Sequence, residues 1–146
     1  MKTHRVITII GWLVSGILLF LWQEKYLPFH YEYIEQFRLF HYSADYFIEH
    51  CSYPSGIIEY LGSFLIQFFN QPHVGAGIVT ILLLSVGIGI QQIFKRIASH
   101  VDMPLAYLLP TLFLLFAGMD INYHLEGTLA FALSVWFLNI QVSFVR

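Results

Sequence analysis

Long runs of apolar residues alternate with polar segments along the chain. A polar stretch, 23–72, separates the first run from the other three, and it holds six of the nine carboxylates. Each run approaches the roughly 20 residues that an α-helix needs to cross a bilayer. The runs are residues 6–22, 74–94, 104–119 and 127–144. We therefore predict an all-α integral membrane protein, a single domain with four transmembrane helices.

The first run follows a short basic lead that ends at Arg5, which is also how a secretory signal begins. No small-x-small cleavage pattern follows the run, because the chain continues Gln-Glu-Lys-Tyr-Leu-Pro from Gln23. Trp22 would lie at the membrane interface, where aromatic residues are enriched. We predict an uncleaved first transmembrane helix.

The polar stretch is predicted to contain amphipathic helices. Apolar residues recur at three-four spacing between His30 and His50, and Ser43 is a candidate N-cap that would divide this segment. A further segment, 57–70, carries Glu59 on a narrow polar face. Its rise of roughly 21 Å is too short for a hydrocarbon core of about 30 Å. It suits a helix that lies in the membrane interface.

Composition agrees with a lipid environment and excludes several classes of site. Residues are 58% hydrophobic and 11% charged, whereas soluble proteins average about 25% charged. The single cysteine, Cys51, excludes an intrachain disulfide and a multi-cysteine metal site. The sequence contains no cluster of basic residues that would indicate nucleic-acid binding. No nucleotide-binding motif occurs, and the histidines near the ends of the runs argue against a haem held between helices.

The lysines and arginines predict the orientation. In the four-helix layout five of the seven fall on one side, and only Lys25 and Arg38 fall on the other. Because cytoplasmic loops carry the excess of positive charge, both termini are predicted to be cytoplasmic and the long loop to lie outside. All carboxylates except Asp102 then belong to the outer side.

Candidate chemistry lies in these outer carboxylates. Asp45 in the long loop and Asp120 in the second outer loop could converge as general base and metal ligand. The alternative for Asp45 is a solvated helix face on which it pairs with His41. Glu59 could line a polar cavity or reach the lipid headgroups.

A metal site remains an open alternative. One helical stripe in the long loop presents side chains that bind metals, although such stripes are common on amphipathic helices. We name no cofactor, and a divalent cation stays possible. The stripe consists of His41, Asp45, Glu49 and His50.

Two stretches of sequence carry a resemblance. The text from Tyr53 to Phe69, with Pro72 and Gly75 after it, is similar to an uncharacterised family of bacterial multi-pass inner-membrane proteins, and Asp-Ile-Asn-Tyr-His from Asp120 fits the same pattern. The order of parts resembles the N-terminal module of GT-C glycosyltransferases. These enzymes use polyprenyl-phosphate sugars on the outer membrane face.

This resemblance implies a function and a location. Asp45 and Asp120 would be the catalytic acids, and Glu49, Glu59 and Glu126 would contact the substrate. The expected location is the bacterial inner membrane, with the long loop periplasmic and with membrane lipid and a polyprenyl-phosphate sugar as partners. Because such enzymes have more spans, we expect an incomplete module, a truncated or split product, that is inactive without a C-terminal half or another subunit.

A second hypothesis is a small membrane protein or subunit without catalysis. Small residues on the second span, among them Ser85 and Gly89, allow close helix contact, and the fourth span offers Ala130 and Ser134. These faces would be its interfaces with a partner. A transporter is less favoured, because no ionisable residue lies in the middle of a span.

Overall fold

A computed structural model describes residues 2–97, 107–120 and 122–144, with side chains from Val6 onward. Helices dominate these ranges, and none of their residues forms a strand. A single 3-10 turn, Gln67–Asn70, accompanies the α-helices. The α-helices are α1 (Lys2–Tyr26), α2 (Pro28–Gln36), α3 (Ala44–Cys51), α4 (Gly56–Ile66), α5 (Pro72–Ile97), α6 (Leu108–Ala117) and α7 (Leu125–Phe144).

Within the described ranges, three helices are long and apolar enough to cross a membrane: α1 from Val6 onward, α5 and α7. They extend the predicted runs 6–22, 74–94 and 127–144 by a few residues at one or both ends. The third predicted span, 104–119, lies partly outside the described residues. Its described helix, α6, rises only about 15 Å, so a fourth span is not established. Pro110 lies in the first turn of α6, where a proline is tolerated without kinking the helix.

Helix α5 is the central element and contacts α1, α2, α6 and α7. Two of its glycines permit these contacts. A Cβ on Gly87 would lie 2.5 Å from the Trp12 ring and 2.8 Å from Thr111 Oγ1, and a Cβ on Gly89 would lie 2.6 Å from Val135 Cγ1. Gly89 of the small-residue pair predicted on the second span therefore packs on α7 within the chain, whereas Ser85 is half-buried.

Two hydrogen bonds between side chains join α1 to α5, and we call them the α1–α5 clasps. Trp12 Nε1 donates to Gln91 Oε1 at 3.0 Å, and Gln23 Nε2 donates to Thr80 Oγ1 at 2.9 Å. Tyr31 of α2 adds a bond by donating its hydroxyl proton to Gln23 Oε1. Gln23 is fully buried, so these bonds offset the cost of removing its amide from water.

The segment between His30 and His50 that was predicted to be amphipathic contains two helices, α2 and α3. Pro28 begins α2, and the chain leaves the helix after Gln36. Ser43 then caps α3, because its Oγ accepts the N–H of Tyr46 at 3.2 Å. The predicted cap is confirmed, but Arg38 and His41 lie in the non-helical connection between the helices. The helix predicted over 57–70 is α4 followed by the 3-10 turn.

The helices define two ends of the structure. At one end, here called the loop end, α1 and α6 finish, α5 and α7 begin, and α2 to α4 pack over them. One buried cluster, which includes Tyr31 and Phe69, lies there, and a second cluster around Leu83 and Leu114 joins α5, α6 and α7. The opposite end, where α5 and α7 finish, is called the Arg96 end.

Candidate functional site

An ion pair ties the connection between α2 and α3 to the start of α7. Arg38 Nη1 pairs with Glu126 Oε1, and Arg38 Nη2 contacts His124 Nδ1. Glu126 is 8% exposed, and apart from Arg38 neither of its carboxylate oxygens has a partner within the described ranges. Removing a carboxylate from water costs several kcal/mol unless a cation accompanies it. Arg38 therefore compensates the buried negative charge of Glu126.

Helix α4 covers this ion pair through a glycine. A Cβ on Gly62 would lie 2.6 Å from Glu126 Cγ and 3.1 Å from Glu126 Oε1. The absence of a side chain at this position allows α4 to pack directly on the carboxylate. Glu126 also lies in the first turn of α7, where the positive end of the helix dipole favours a negative charge.

Glu59 adds a second carboxylate one turn before Gly62 on α4. Hydrogen bonds from Ser55 Oγ at 2.8 Å and Tyr53 OH at 3.0 Å hold the pKa of Glu59 below its usual range, and the charges of His50 and Arg38 lower it further. Burial and the bond to Glu59 raise the pKa of Tyr53. Arg38 thus acts electrostatically on both Glu59 and Glu126.

Lowering the pH should destabilise the turn between α3 and α4 by protonating Glu59. Because the pKa of Glu59 is lower in the folded protein, the unfolded chain binds the proton more readily, and stability is lost as pH falls through the lowered pKa. We expect the unfolding temperature of Glu59→Gln to lie below that of the wild type at neutral pH and to approach it as the pH falls through the lowered pKa of Glu59. Glu49→Gln on exposed α3 is the matched control. A constant difference between the wild type and Glu59→Gln at all pH values would contradict this role.

A small cavity lies beside the ion pair, walled by residues on both sides of Glu126 in α7. Its volume is about 40 Å³, which suffices for water, since one molecule needs about 10–15 Å³ on this measure. His30 Nε2 donates to the carbonyl of Gly118 at 2.9 Å, and Tyr123 and Thr128 share a hydrogen bond at 3.1 Å. These groups and buried Gln23 make one side of the cavity polar.

The predicted catalytic acids lie apart from this ion pair. Asp45 is exposed in the first turn of α3, and no ion pair with His41 forms within the described ranges. Asp120 is exposed and accepts hydrogen bonds from the backbone N–H and side-chain amide of Asn122, at 2.9 and 3.3 Å. No hydrogen bond or ion pair joins the two aspartates in the described parts of the chain. Their catalytic roles stay predictions.

The predicted substrate-binding acids divide between two environments. Glu126 pairs with Arg38 and Glu59 feels its charge, whereas Glu49 is exposed on α3. Among the described residues no three His, Cys, Asp or Glu side chains converge on a possible metal position. The helical stripe of possible metal ligands that includes His41 and His50 is thus not brought together.

The sequence interpretation missed the partner of Glu126. Arg38 lies within the predicted amphipathic segment between His30 and His50, and it is one of only two basic residues predicted on the outer side. A carboxylate at the start of an apolar helix needs a nearby cation. Because only two basic residues were predicted on the outer side, Arg38 could have been identified as a candidate partner of Glu126.

Comparison with known protein families gives a match over almost the whole chain. The model of a family of unknown function, DUF6057, matches residues 3–146. The chain belongs to DUF6057. No curated protein and no solved structure matches it. Membership of an uncharacterised family is therefore confirmed, and the DUF6057 match adds no support to the resemblance to GT-C glycosyltransferases.

Proposed function

We propose that this DUF6057 protein binds the phosphate of a polyprenyl-phosphate lipid at its loop end, as the N-terminal module of a GT-C-like glycosyltransferase. The supporting observation is the position of Arg38, whose guanidinium is anchored on buried Glu126 while its side chain stays 26% exposed. A guanidinium carries five N–H donors in a fork that fits phosphate oxygens. Anchoring two of its nitrogens fixes its position before a ligand arrives.

We also propose how the chain is oriented in the membrane. Four spans, with 104–119 as the third, would place both termini in the cytoplasm and the loop end on the outer face of a bacterial inner membrane. Helices α2 to α4 then lie at the headgroup level. Their exposed apolar side chains, among them Phe29, Phe37 and Leu39, suit that position. A polyprenyl phosphate would approach Arg38 from the surrounding lipid.

The chemistry would be shared among the carboxylates. Asp45 would act as base or cation ligand, and Asp120 would hold a cation or the donor phosphate. Both are exposed and accessible to a substrate. Glu59, whose pKa is lowered, is ionised at neutral pH, so it could orient sugar hydroxyls by accepting hydrogen bonds. Glu126 would position Arg38, and Glu49 would contact the substrate from exposed α3.

Lipid binding by the protein in nanodiscs tests this proposal. A long-chain polyprenyl phosphate is expected to bind, and the uncharged polyprenol of equal length is expected to bind at least about tenfold more weakly, a difference of about 1.4 kcal/mol. The double variant Arg38→Gln/Glu126→Gln removes both charges without leaving one buried alone, and it should lose the preference for phosphate. Lys25→Gln, which removes an exposed cation at the same end, is the control.

Three outcomes would overturn the proposal. One is an equal affinity of the wild type for polyprenol and polyprenyl phosphate. Another is an unchanged phosphate preference in the double variant, which would place the phosphate away from Arg38. Loss of the phosphate preference in the Lys25 variant alone would likewise place the phosphate away from Arg38.

A subunit without catalysis is the second candidate, favoured by a groove between α1 and α5. This groove has a volume of about 560 Å³ and is lined mostly by apolar side chains, with Gly16 and Leu84 on its two walls. Another transmembrane helix would fit such a surface. A stable oligomer in detergent that dissociates on Gly16→Phe substitution would support this candidate, whereas a monomer at all concentrations would exclude self-association.

A further inference from the structure

The last turns of α5 and α7 enclose a groove at the Arg96 end, far from the loop-end carboxylates. Its volume is about 330 Å³, and its lining includes Gln92 and Arg96 of α5 and Trp136 and Asn139 of α7. Apolar side chains continue from it, since Ile140 is 53% and Phe144 86% exposed. The groove therefore combines a polar base with an apolar margin, as in a site for an amphiphile.

Asn139 lines this groove and lacks one hydrogen bond. Its side chain is buried, with the residue only 2% exposed. Its Nδ2 donates to Gln92 Oε1 at 2.9 Å and, at a longer distance of 3.4 Å, to the carbonyl of Gly89. Its Oδ1 has no partner within the described residues. A buried acceptor without a donor costs about 1–3 kcal/mol, so a donor supplied by a ligand would be stabilising.

Arg96 supplies a cation at the same place. Its Nη1 donates to the backbone carbonyl of Asn139 at 2.6 Å, which holds the guanidinium against α7. The described parts of the chain offer it no carboxylate partner. Asp102, the one acid predicted for this end, lies outside the described residues. The remaining N–H donors of Arg96 can donate hydrogen bonds to an anion bound in the groove.

We propose that this groove binds the headgroup of an anionic phospholipid that carries a hydroxyl group, the chemistry of phosphatidylglycerol. Arg96 donates hydrogen bonds to the phosphodiester, and the headgroup hydroxyl donates to Asn139 Oδ1. Trp136 lies at the level of the glycerol backbone, and the acyl chains follow the exposed face of Ile140 and Phe144. Basic pockets between membrane helices commonly hold anionic headgroups, and arginine matches phosphate geometry.

Lipid retention measured by native mass spectrometry tests the site. The full chain is exposed to equal amounts of phosphatidylglycerol and phosphatidylcholine with identical acyl chains. We expect phosphatidylglycerol to be retained with a preference of about tenfold, and Arg96→Gln to abolish that preference. Lys95→Gln removes the neighbouring exposed cation, so it is the matched control and should keep the preference. Asn139→Leu removes the acceptor and should reduce the preference for a hydroxyl-bearing headgroup.

Each contrary result has a definite meaning. Equal retention of both lipids by the wild type would overturn the proposal, as would an equal loss in the Lys95 and Arg96 variants, which indicates nonspecific charge attraction. Displacement of the lipid by inorganic phosphate would show a site for a free anion instead of a lipid. Arg38 variants are expected to leave this preference intact, which separates the result from polyprenyl-phosphate binding at the loop end.

Discussion

Replacing Arg38 with glutamine is expected to destabilise the protein by about 3–5 kcal/mol, because it leaves the buried carboxylate of Glu126 without a cation. Glutamine cannot neutralise the charge, and the apolar surroundings of α4 and α7 give the carboxylate no other partner within the described ranges. The connection between α2 and α3 would also lose its attachment to α7. Unfolding of the purified protein in mixed detergent micelles, followed by circular dichroism, measures the change.

The double variant Arg38→Gln/Glu126→Gln decides whether the charge is the cause. It removes the buried carboxylate together with its cation, so most of the lost stability should return. The single variant Lys25→Gln should change the stability by less than about 0.5 kcal/mol, since that side chain is exposed. If Arg38→Gln unfolds like the wild type, the ion pair does not stabilise the fold.

The second large effect is expected inside the membrane-spanning part, at Gly87 of α5. A methyl group there would overlap the Trp12 ring and Thr111 Oγ1, so Gly87→Ala must push α1 or α6 away from α5. Overpacking of this kind costs about 1–3 kcal/mol. The same unfolding measurement should show this loss, with reduced protection of α1 against proteolysis.

Gly77→Ala in the same helix is the matched control. Its new methyl group would meet only Phe20 Cε2, at 4.0 Å, which is ordinary contact. Both substitutions gain the same helix propensity, about 1 kcal/mol in favour of alanine. The difference between the two variants therefore isolates the packing term. Equal stability of the two variants would show that Gly87 does not set the helix spacing.

Hydrophobic periodicity predicted the long helices well because they depend on local sequence. The runs 6–22, 74–94 and 127–144 correspond to α1, α5 and α7, and the Ser43 cap follows from one side chain and one nearby N–H. The run 104–119 shows the limit of this approach. Apolar length indicates a span, but described α6 covers only Leu108–Ala117.

The candidate site was predictable only in part. Glu59 was singled out because a carboxylate on a largely apolar helix is costly, whereas Glu126 was named only through the resemblance to GT-C enzymes. Both carboxylates interact electrostatically with Arg38. Arg38 itself lies in the segment between His30 and His50 that was predicted to contain amphipathic helices, and no partner was assigned to it. The backbone leaves the helix before Arg38, and this residue pairs with an acid 88 positions later in the sequence. Local periodicity contains no information about a contact of that range.

The α1–α5 clasps have a consequence for biosynthesis. They join residues that are 79 and 57 positions apart, so α1 leaves the ribosome well before Gln91 and Thr80 exist. Until then the Gln23 amide and the Trp12 N–H must be satisfied by water, lipid headgroups or the insertion machinery. Arrival of α5 releases α1 from these temporary partners. Synthesis of α5 is therefore the step that commits the first helix to its final neighbours.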